Sequence, residues 1–147
     1  MTSSVFPDLN VWIALTLVEH QHHRIAWKWY RSLPETTDLV FCRFTQMGFL
    51  RLLTLRAVTG DQVLSQRQAW AAYDRWIEES DCVFAEEPYG LESNFRQLAD
   101  LTEPSPKAWA DSYLAAFAKS KSIDLVTFDR ALHQRVRGSI LLAAEIP

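Results

Sequence analysis

Cysteine, glycine and long apolar runs are all scarce in this chain, and each scarcity removes a class of protein. Two cysteines among 147 residues, Cys42 and Cys82, cannot make a disulfide framework. Each falls in a predicted strand with apolar neighbours, so both are expected as buried free thiols of a reducing compartment. Only four glycines, against six tryptophans and 48% hydrophobic residues, exclude a disordered chain and predict an aromatic-rich core. No stretch reaches ~18 apolar residues, the length of a membrane span. The start, Met-Thr-Ser-Ser-Val-Phe-Pro-Asp, has neither a basic segment nor a long apolar one, so a cytoplasmic protein is expected. Basic charge is short too: 15 Lys and Arg face 18 Asp and Glu, for a net charge of −3. A polyanion therefore cannot be bound by whole-surface attraction and must be held locally. There is no internal repeat, and residues 1–147 suit a single domain that buries roughly two-thirds of its unfolded surface.

The most informative stretch runs from Ser105 to Asp129. Ser105 is a good N-cap and Pro106 suits a first helical position, so a helix is predicted to start there. Ala108, Asp111, Leu114, Ala115 and Ala118 recur at helical spacing, which puts the Asp111 carboxylate on the small-residue stripe that faces the core. Lys107, one turn earlier, is a ready i,i+4 partner for it. Ile123 to Phe128 then reads as a buried strand, with Asp129 at its carboxyl end.

The rest of the chain alternates in the same way. Val5 and Phe6 form a strand ended by Pro7, with Asp8 at its carboxyl end and Asn10 as a plausible N-cap for a buried helix. His20, His22 and His23 lie in a connector without matching Cys at zinc spacing, so they are read as connector residues rather than ligands. A helix over Arg24 to Leu33 follows, then a strand Leu39 to Cys42 and a helix that begins near Arg43 or Thr45. That helix carries Gln46 and Arg51, and its Gly48 allows close approach of another element. Thr59-Gly60-Asp61 breaks it, a long amphipathic helix is predicted over Gln62 to Glu79, and Cys82 to Ala85 forms a third strand. A helix from about Tyr89 to Leu101, the Ser105–Asp129 unit, a short helix Arg130 to Val136 and a last strand Ser139 to Ala143 complete the chain. This succession predicts an α/β/α sandwich around a mostly parallel five-stranded sheet.

In such a sheet, acids that end different strands meet at one edge. Asp8 and Asp129 occupy that position, and Asp111 lies over the same edge. With separations of ~6 Å and an effective dielectric of ~20, each pair repels by roughly 3 kcal/mol, so the bare triad is a liability on the order of 8 kcal/mol. A divalent cation would relieve it. Oxygen-only ligands suit Mg²⁺ or Mn²⁺ rather than zinc, and acidic clusters with Mg²⁺ serve phosphoryl transfer. Nucleic-acid backbone is the expected substrate, with Arg43, Arg51, Arg56 and Arg130 as possible phosphate clamps.

The motifs Phe-Pro-Asp8-Leu-Asn10-Val-Trp, Thr45-Gln46-Met-Gly-Phe-Leu-Arg, Trp109-Ala-Asp111-Ser-Tyr-Leu-Ala-Ala-Phe-Ala and Val-Thr127-Phe-Asp129-Arg resemble those of the PIN-domain family. More closely they are similar to the VapC toxins of type II toxin-antitoxin systems, over essentially the whole chain. The resemblance implies a Mg²⁺- or Mn²⁺-dependent endoribonuclease with metal ligands Asp8, Asp111 and Asp129. It also implies a homodimer and a cognate VapB-type antitoxin that covers the site. Asn10, Gln46, Thr127, Arg43 and Arg51 are its expected supporting or substrate residues. One position departs, since the family's usual second acid is here Gln46, a neutral amide that ligates only weakly.

Two other functions fit the same residues. A non-catalytic RNA-binding or interaction module is favoured by Gln46, and a phosphatase or DNA-directed nuclease would use the same triad. Trp12, Trp27 and Trp29 crowd two short helices, so some of them are expected to line a groove for an antitoxin segment.

Overall fold

Alternation along the first strand decides the layering: Val5 packs into one apolar cluster and Phe6 into another, on opposite faces of the sheet. The structure is a computed structural model that describes residues 3–143. Met1 and Thr2, which open the stretch read for a leader, lie outside the described residues, as do residues 144–147. Five strands, β1 (Ser3–Pro7), β2 (Thr37–Phe41), β3 (Cys82–Phe84), β4 (Asp124–Thr127) and β5 (Ile140–Leu141), form one sheet in the order β3-β2-β1-β4-β5. Every pairing is parallel, so the predicted α/β sandwich stands and its sheet is wholly rather than mostly parallel.

Helices α1 (Leu9–Thr16), α2 (His23–Ser32), α3 (Arg43–Leu53), α4 (Arg56–Thr59) and α5 (Gln66–Glu79) connect β1 to β2 to β3. Residues of α1, α3 and α5 bury Trp12, Phe49, Tyr73 and Trp76 with Leu39 and Phe41 of β2 on one face. Helices α6 (Leu91–Leu98), α7 (Ala108–Lys121) and α8 (Arg130–Arg135) belong to the second half of the chain. There Leu91, Leu114, Phe117 and Leu132 pack with Phe6, Val40 and Leu125 on the other face. Because the chain winds outward in both directions from β1 and β4, these two neighbours are where the strand order reverses. Parallel sheets open a crevice outside their carboxyl ends at such a point.

Several boundaries differ from expectation, each for a local reason. Helix α7 begins at Ala108 rather than Ser105, because residues 105–108 close a turn in which the Ala108 N–H donates to the Ser105 carbonyl at 3.0 Å. Helix α5 begins at Gln66, four residues later than predicted, because Ser65 caps it. The Ser65 side chain accepts from the Gln68 N–H at 3.1 Å, and the Gln68 side chain accepts from the Ser65 N–H at 2.9 Å. Helix α3 already ends at Leu53, ahead of the predicted break at Thr59. Gly48 does serve a close approach, since a Cβ there would lie 2.5 Å from a Leu9 methyl. This contact sets α3 against the start of α1.

The aromatic surplus is divided between the core and the surface, where Trp27 lines a 220 Å³ cleft with Leu15, Thr16 and Trp76. Trp12 is fully buried, stacked on Phe41 at 3.8 Å between ring centroids, so it lines no groove. Trp27 and Trp29 are half-buried against the same cluster, and the Trp27 indole donates to the Leu15 carbonyl. The histidines are built into the α1–α2 junction rather than left loose: the His23 ring is 2.7 Å from the Ala14 carbonyl, and His22 stacks on Phe128. Cys42 and Cys82 are buried free thiols, as expected. Among the described residues no helix is long and apolar enough to cross a membrane.

Candidate active site at the carboxyl edge of the sheet

Asp8 leaves β1 at this edge, its N–H donating to the Val126 carbonyl of β4 at 2.9 Å. It, not Asn10, is the N-cap of α1, with one carboxylate oxygen accepting from the Val11 N–H at 3.2 Å. Asn10 is an exposed residue of the first turn. The other Asp8 oxygen accepts a short hydrogen bond from the Thr127 hydroxyl. Asp8 is only 5% exposed. Burial pushes its pKa up to about 6, with the Asp129 charge adding to that, against the opposing hydrogen bonds from Thr127, Val11 and Asn10.

Thr127 ends β4 and ties two acids together. A hydroxyl has one proton and two lone pairs. Here the proton goes to Asp8, and the oxygen accepts from the Asp129 N–H at 2.9 Å. Asp129 in turn is the N-cap of α8: one oxygen accepts from Ala131 and Leu132 N–H groups at 2.9 and 3.2 Å. Its other oxygen faces the Lys107 ammonium at 3.6 Å. The Leu132 amide hydrogen bond leads the causes that hold this carboxylate below its ordinary pKa, burial opposes it, and Ala131 and Lys107 add to the lowering.

Asp111 lies in the first turn of α7, half-buried. Burial raises its pKa, the Asp129 charge raises it further, and Lys107 and Arg135 oppose. Arg135 reaches back from α8, donating to the Leu98 carbonyl at 3.1 Å and the Ser112 hydroxyl at 2.9 Å. The Asp129 charge is thus felt by both of the other acids.

The supporting residues divide. Thr127 is part of the cluster. Gln46 is buried on α3, and its side-chain oxygen accepts from the Arg43 guanidinium at 2.5 Å. Arg51 is not brought to the edge. It lines a 310 Å³ cleft between α3 and α5, with Met47 and Trp70 as neighbours. Lys107, read from the sequence as an i,i+4 partner of Asp111, meets the Asp129 carboxylate instead, because the turn at residues 105–108 displaces it from the assumed helical position. Arg135 escaped sequence reading, since its partners Leu98 and Ser112 come from two other helices.

The donor set consists of hard carboxylate oxygens, one of them desolvated to the point of a raised pKa, and this suits Mg²⁺ or Mn²⁺. Among the described residues no group of three or more His, Cys, Asp or Glu side chains is placed so that it could hold a metal ion.

Comparison with known proteins bears on this edge. A PIN-domain family profile matches residues 5–138. Ribonuclease VapC41 of Mycobacterium tuberculosis strain H37Rv is 44% identical over 131 residues, which cover 86% of this chain and 90% of that one. The crystal structure of Mycobacterium tuberculosis VapC20, described as a sarcin-ricin loop cleaving toxin, superposes with a TM-score of 0.61. It has 21% identity and covers 88% of this chain and 93% of that one. VapBC2 from Rickettsia felis, solved bound to a DNA fragment from its promoter, gives a TM-score of 0.66 at 10% identity, covering 97% of this chain and 99% of that one.

Proposed function

The chain belongs to the PIN-domain family, among its VapC-type ribonucleases, and from that premise we propose that it is a Mg²⁺-dependent endoribonuclease and the toxin of a VapBC-type pair. The observation that supports the reading is that the Asp129 charge acts on both Asp8 and Asp111, acids that come from two other elements. These three would hold Mg²⁺, or Mn²⁺ in its place, and the ion when bound supplies Lewis acidity toward a phosphodiester.

The chain's own residues prepare that edge. Thr127 orients Asp8 through its hydroxyl, and the α8 amides orient Asp129. The Asp8 pocket keeps water away from one acid, which strengthens every charge interaction it makes. Lys107 and Arg135 offset negative charge on the α7–α8 side, so that a phosphate meets less repulsion there.

The test is cleavage of single-stranded RNA by purified protein in Mg²⁺, repeated in EDTA and with Asp8→Asn, Asp111→Asn and Asp129→Asn. Loss of cleavage by at least ~10³-fold in EDTA and in each variant is expected. Wild-type activity in all three variants would overturn the assignment. Parallel assays on DNA and on a phosphomonoester distinguish a DNA-directed nuclease or phosphatase. A cytoplasmic VapB-type antitoxin is the partner proposed, since VapBC2 of Rickettsia felis shares the fold, and a homodimer is proposed with it. Light scattering of the chain alone and with the product of a neighbouring small reading frame tests both.

A second reading, an RNA-binding module without catalysis, is favoured by Gln46 at the position where the family usually has an acid. RNA bound but not cleaved would establish it.

A further inference from the structure

The register of β1 on β2, Val5 beside Leu39, runs on to put Asp8 level with Cys42, so α3 starts at the same edge as the acids. Its first residue, Arg43, is exposed but held. The guanidinium carbon lies 4.6 Å above the centre of the Phe84 ring, and one N–H donates to the Gln46 oxygen at 2.5 Å. Gln46 is only 6% exposed. Tyr73 of α5 is felt by the same pair: burial raises its pKa, and Gln46 and the Arg43 charge oppose that. The amide oxygen is committed to Arg43.

A glutamate at this position would pair with Arg43 and cancel its charge. The neutral amide orients the guanidinium and leaves the charge intact, and Arg43 has no acidic partner among the described residues. A guanidinium carries five N–H donors in a rigid fork. With one N–H spent on Gln46 and one face on Phe84, the remaining donors are free for an anion. A phosphodiester matches that fork bidentately.

Building on the ribonuclease reading, we propose that Arg43 grips a backbone phosphate of the RNA at this edge, and that Gln46 is its positioning residue rather than a metal ligand. The substitution of an amide for an acid then marks a different division of labour: one fewer negative charge toward the metal and one more positive charge toward the substrate.

The experiment measures binding of a fluorescein-labelled single-stranded RNA by anisotropy in EDTA across a salt series. It uses the full chain and its Arg43→Gln, Arg43→Lys, Gln46→Glu and Gln46→Met variants. Calorimetric Mg²⁺ titration and thermal melts accompany each protein. Arg43→Gln is expected to weaken binding about tenfold and to lower the salt slope by roughly 0.7, the loss of one single-strand phosphate contact. Arg43→Lys should keep the slope and lose part of the affinity, because an ammonium is not a fork. Gln46→Glu should imitate Arg43→Gln with Mg²⁺ affinity unchanged. Gln46→Met should weaken binding with the slope preserved, since the charge stays but its orientation is lost.

Arg43→Gln that binds with wild-type affinity and slope would overturn the assignment. So would Gln46→Glu that tightens Mg²⁺ without weakening RNA binding, which would place the residue at the metal. Wild-type protein that binds RNA but does not cleave it in Mg²⁺ overturns the ribonuclease reading, while the Arg43 variants still decide the phosphate contact. Wild-type protein that binds no RNA overturns both.

Discussion

Asp8 and Asp129 end adjacent strands of one sheet, yet their carboxylates are held by opposite means. On the β1 side the acid is buried and its partners, the Thr127 hydroxyl and the Val11 amide, are neutral. Its pKa rises to about 6. On the β4 side the acid is more exposed, caps a helix and faces an ammonium, and its pKa falls. The two regions divide a problem that any cluster of like charges has. One carboxylate is kept from water and so has most to gain from a cation, while the other is already satisfied as an anion and fixes the geometry. A metal would then bind against the strain stored at Asp8 rather than against three equivalent acids.

The largest expected stability effect separates the two sides by pH. A carboxylic acid whose folded pKa is raised binds more protons in the folded state than in the unfolded one, so it costs stability as pH rises from the unfolded to the folded value. For Asp8 that window runs from 3.8 to about 6, and the metal-free protein is expected to lose on the order of 3 kcal/mol across it. Asp129 has the opposite sign: its stabilisation is present above 3.8 and is lost as pH falls through its lower folded value. Denaturant unfolding in EDTA between pH 4 and 7 should show the loss in wild type and in Asp129→Asn, and in Asp8→Asn only the part that the raised Asp111 contributes. Equal profiles for the two variants would remove the distinction.

A smaller effect is expected at the residue shared by both sides. Thr127→Val keeps the shape and removes the hydroxyl, leaving the buried Asp8 oxygen without its donor and the Asp129 N–H without its acceptor. A cost of about 2 kcal/mol is expected at pH 7, together with an Asp8 pKa higher still, since the Thr127 hydrogen bond lowers it. Urea melts and carboxylate titration by NMR measure both. An unchanged Asp8 pKa would mean that burial alone sets it.

The smallest effect belongs to the exposed pair. Lys107 is 79% exposed at its side chain, so Lys107→Met should cost at most ~1 kcal/mol. The same change should raise the Asp129 pKa toward its ordinary value, because Lys107 is among the groups that hold it down. A loss as large as that of Thr127→Val would show that the β4 side is not the relaxed one.

The β1 side and the β4 side were also unequally legible in the sequence. The strand-ending positions of Asp8 and Asp129 follow from short apolar runs that stop at an acid, and the parallel order follows from the alternation of strands and helices, so the edge itself could be read. What could not be read was partner choice. Asn10 is a good cap by type, but the helix already starts at Leu9, so Asp8, which precedes it by one residue, takes that role. Lys107 pairs with Asp111 only in a helix that starts at Ser105, and the turn there hands it to Asp129. Trp12 looked like surplus aromatic surface because single-sequence reading cannot see Phe41, Phe49 and Trp76 gathering around it from three other elements. Arg43 and Gln46 share a helix at i,i+3 spacing, so their contact was within reach, but the Phe84 that completes the arrangement comes from β3.

The hydrogen bond from Thr127 to Asp8 spans 119 residues of chain. During synthesis Asp8 leaves the ribosome ahead of the strand that encloses it, which emerges roughly 10 s later at ~10 residues per second. Until then no Thr127 exists to orient the carboxylate and no β4 to shield it. A nascent chain that stops short of Thr127 therefore carries an Asp8 carboxylate that is neither oriented nor shielded at this edge.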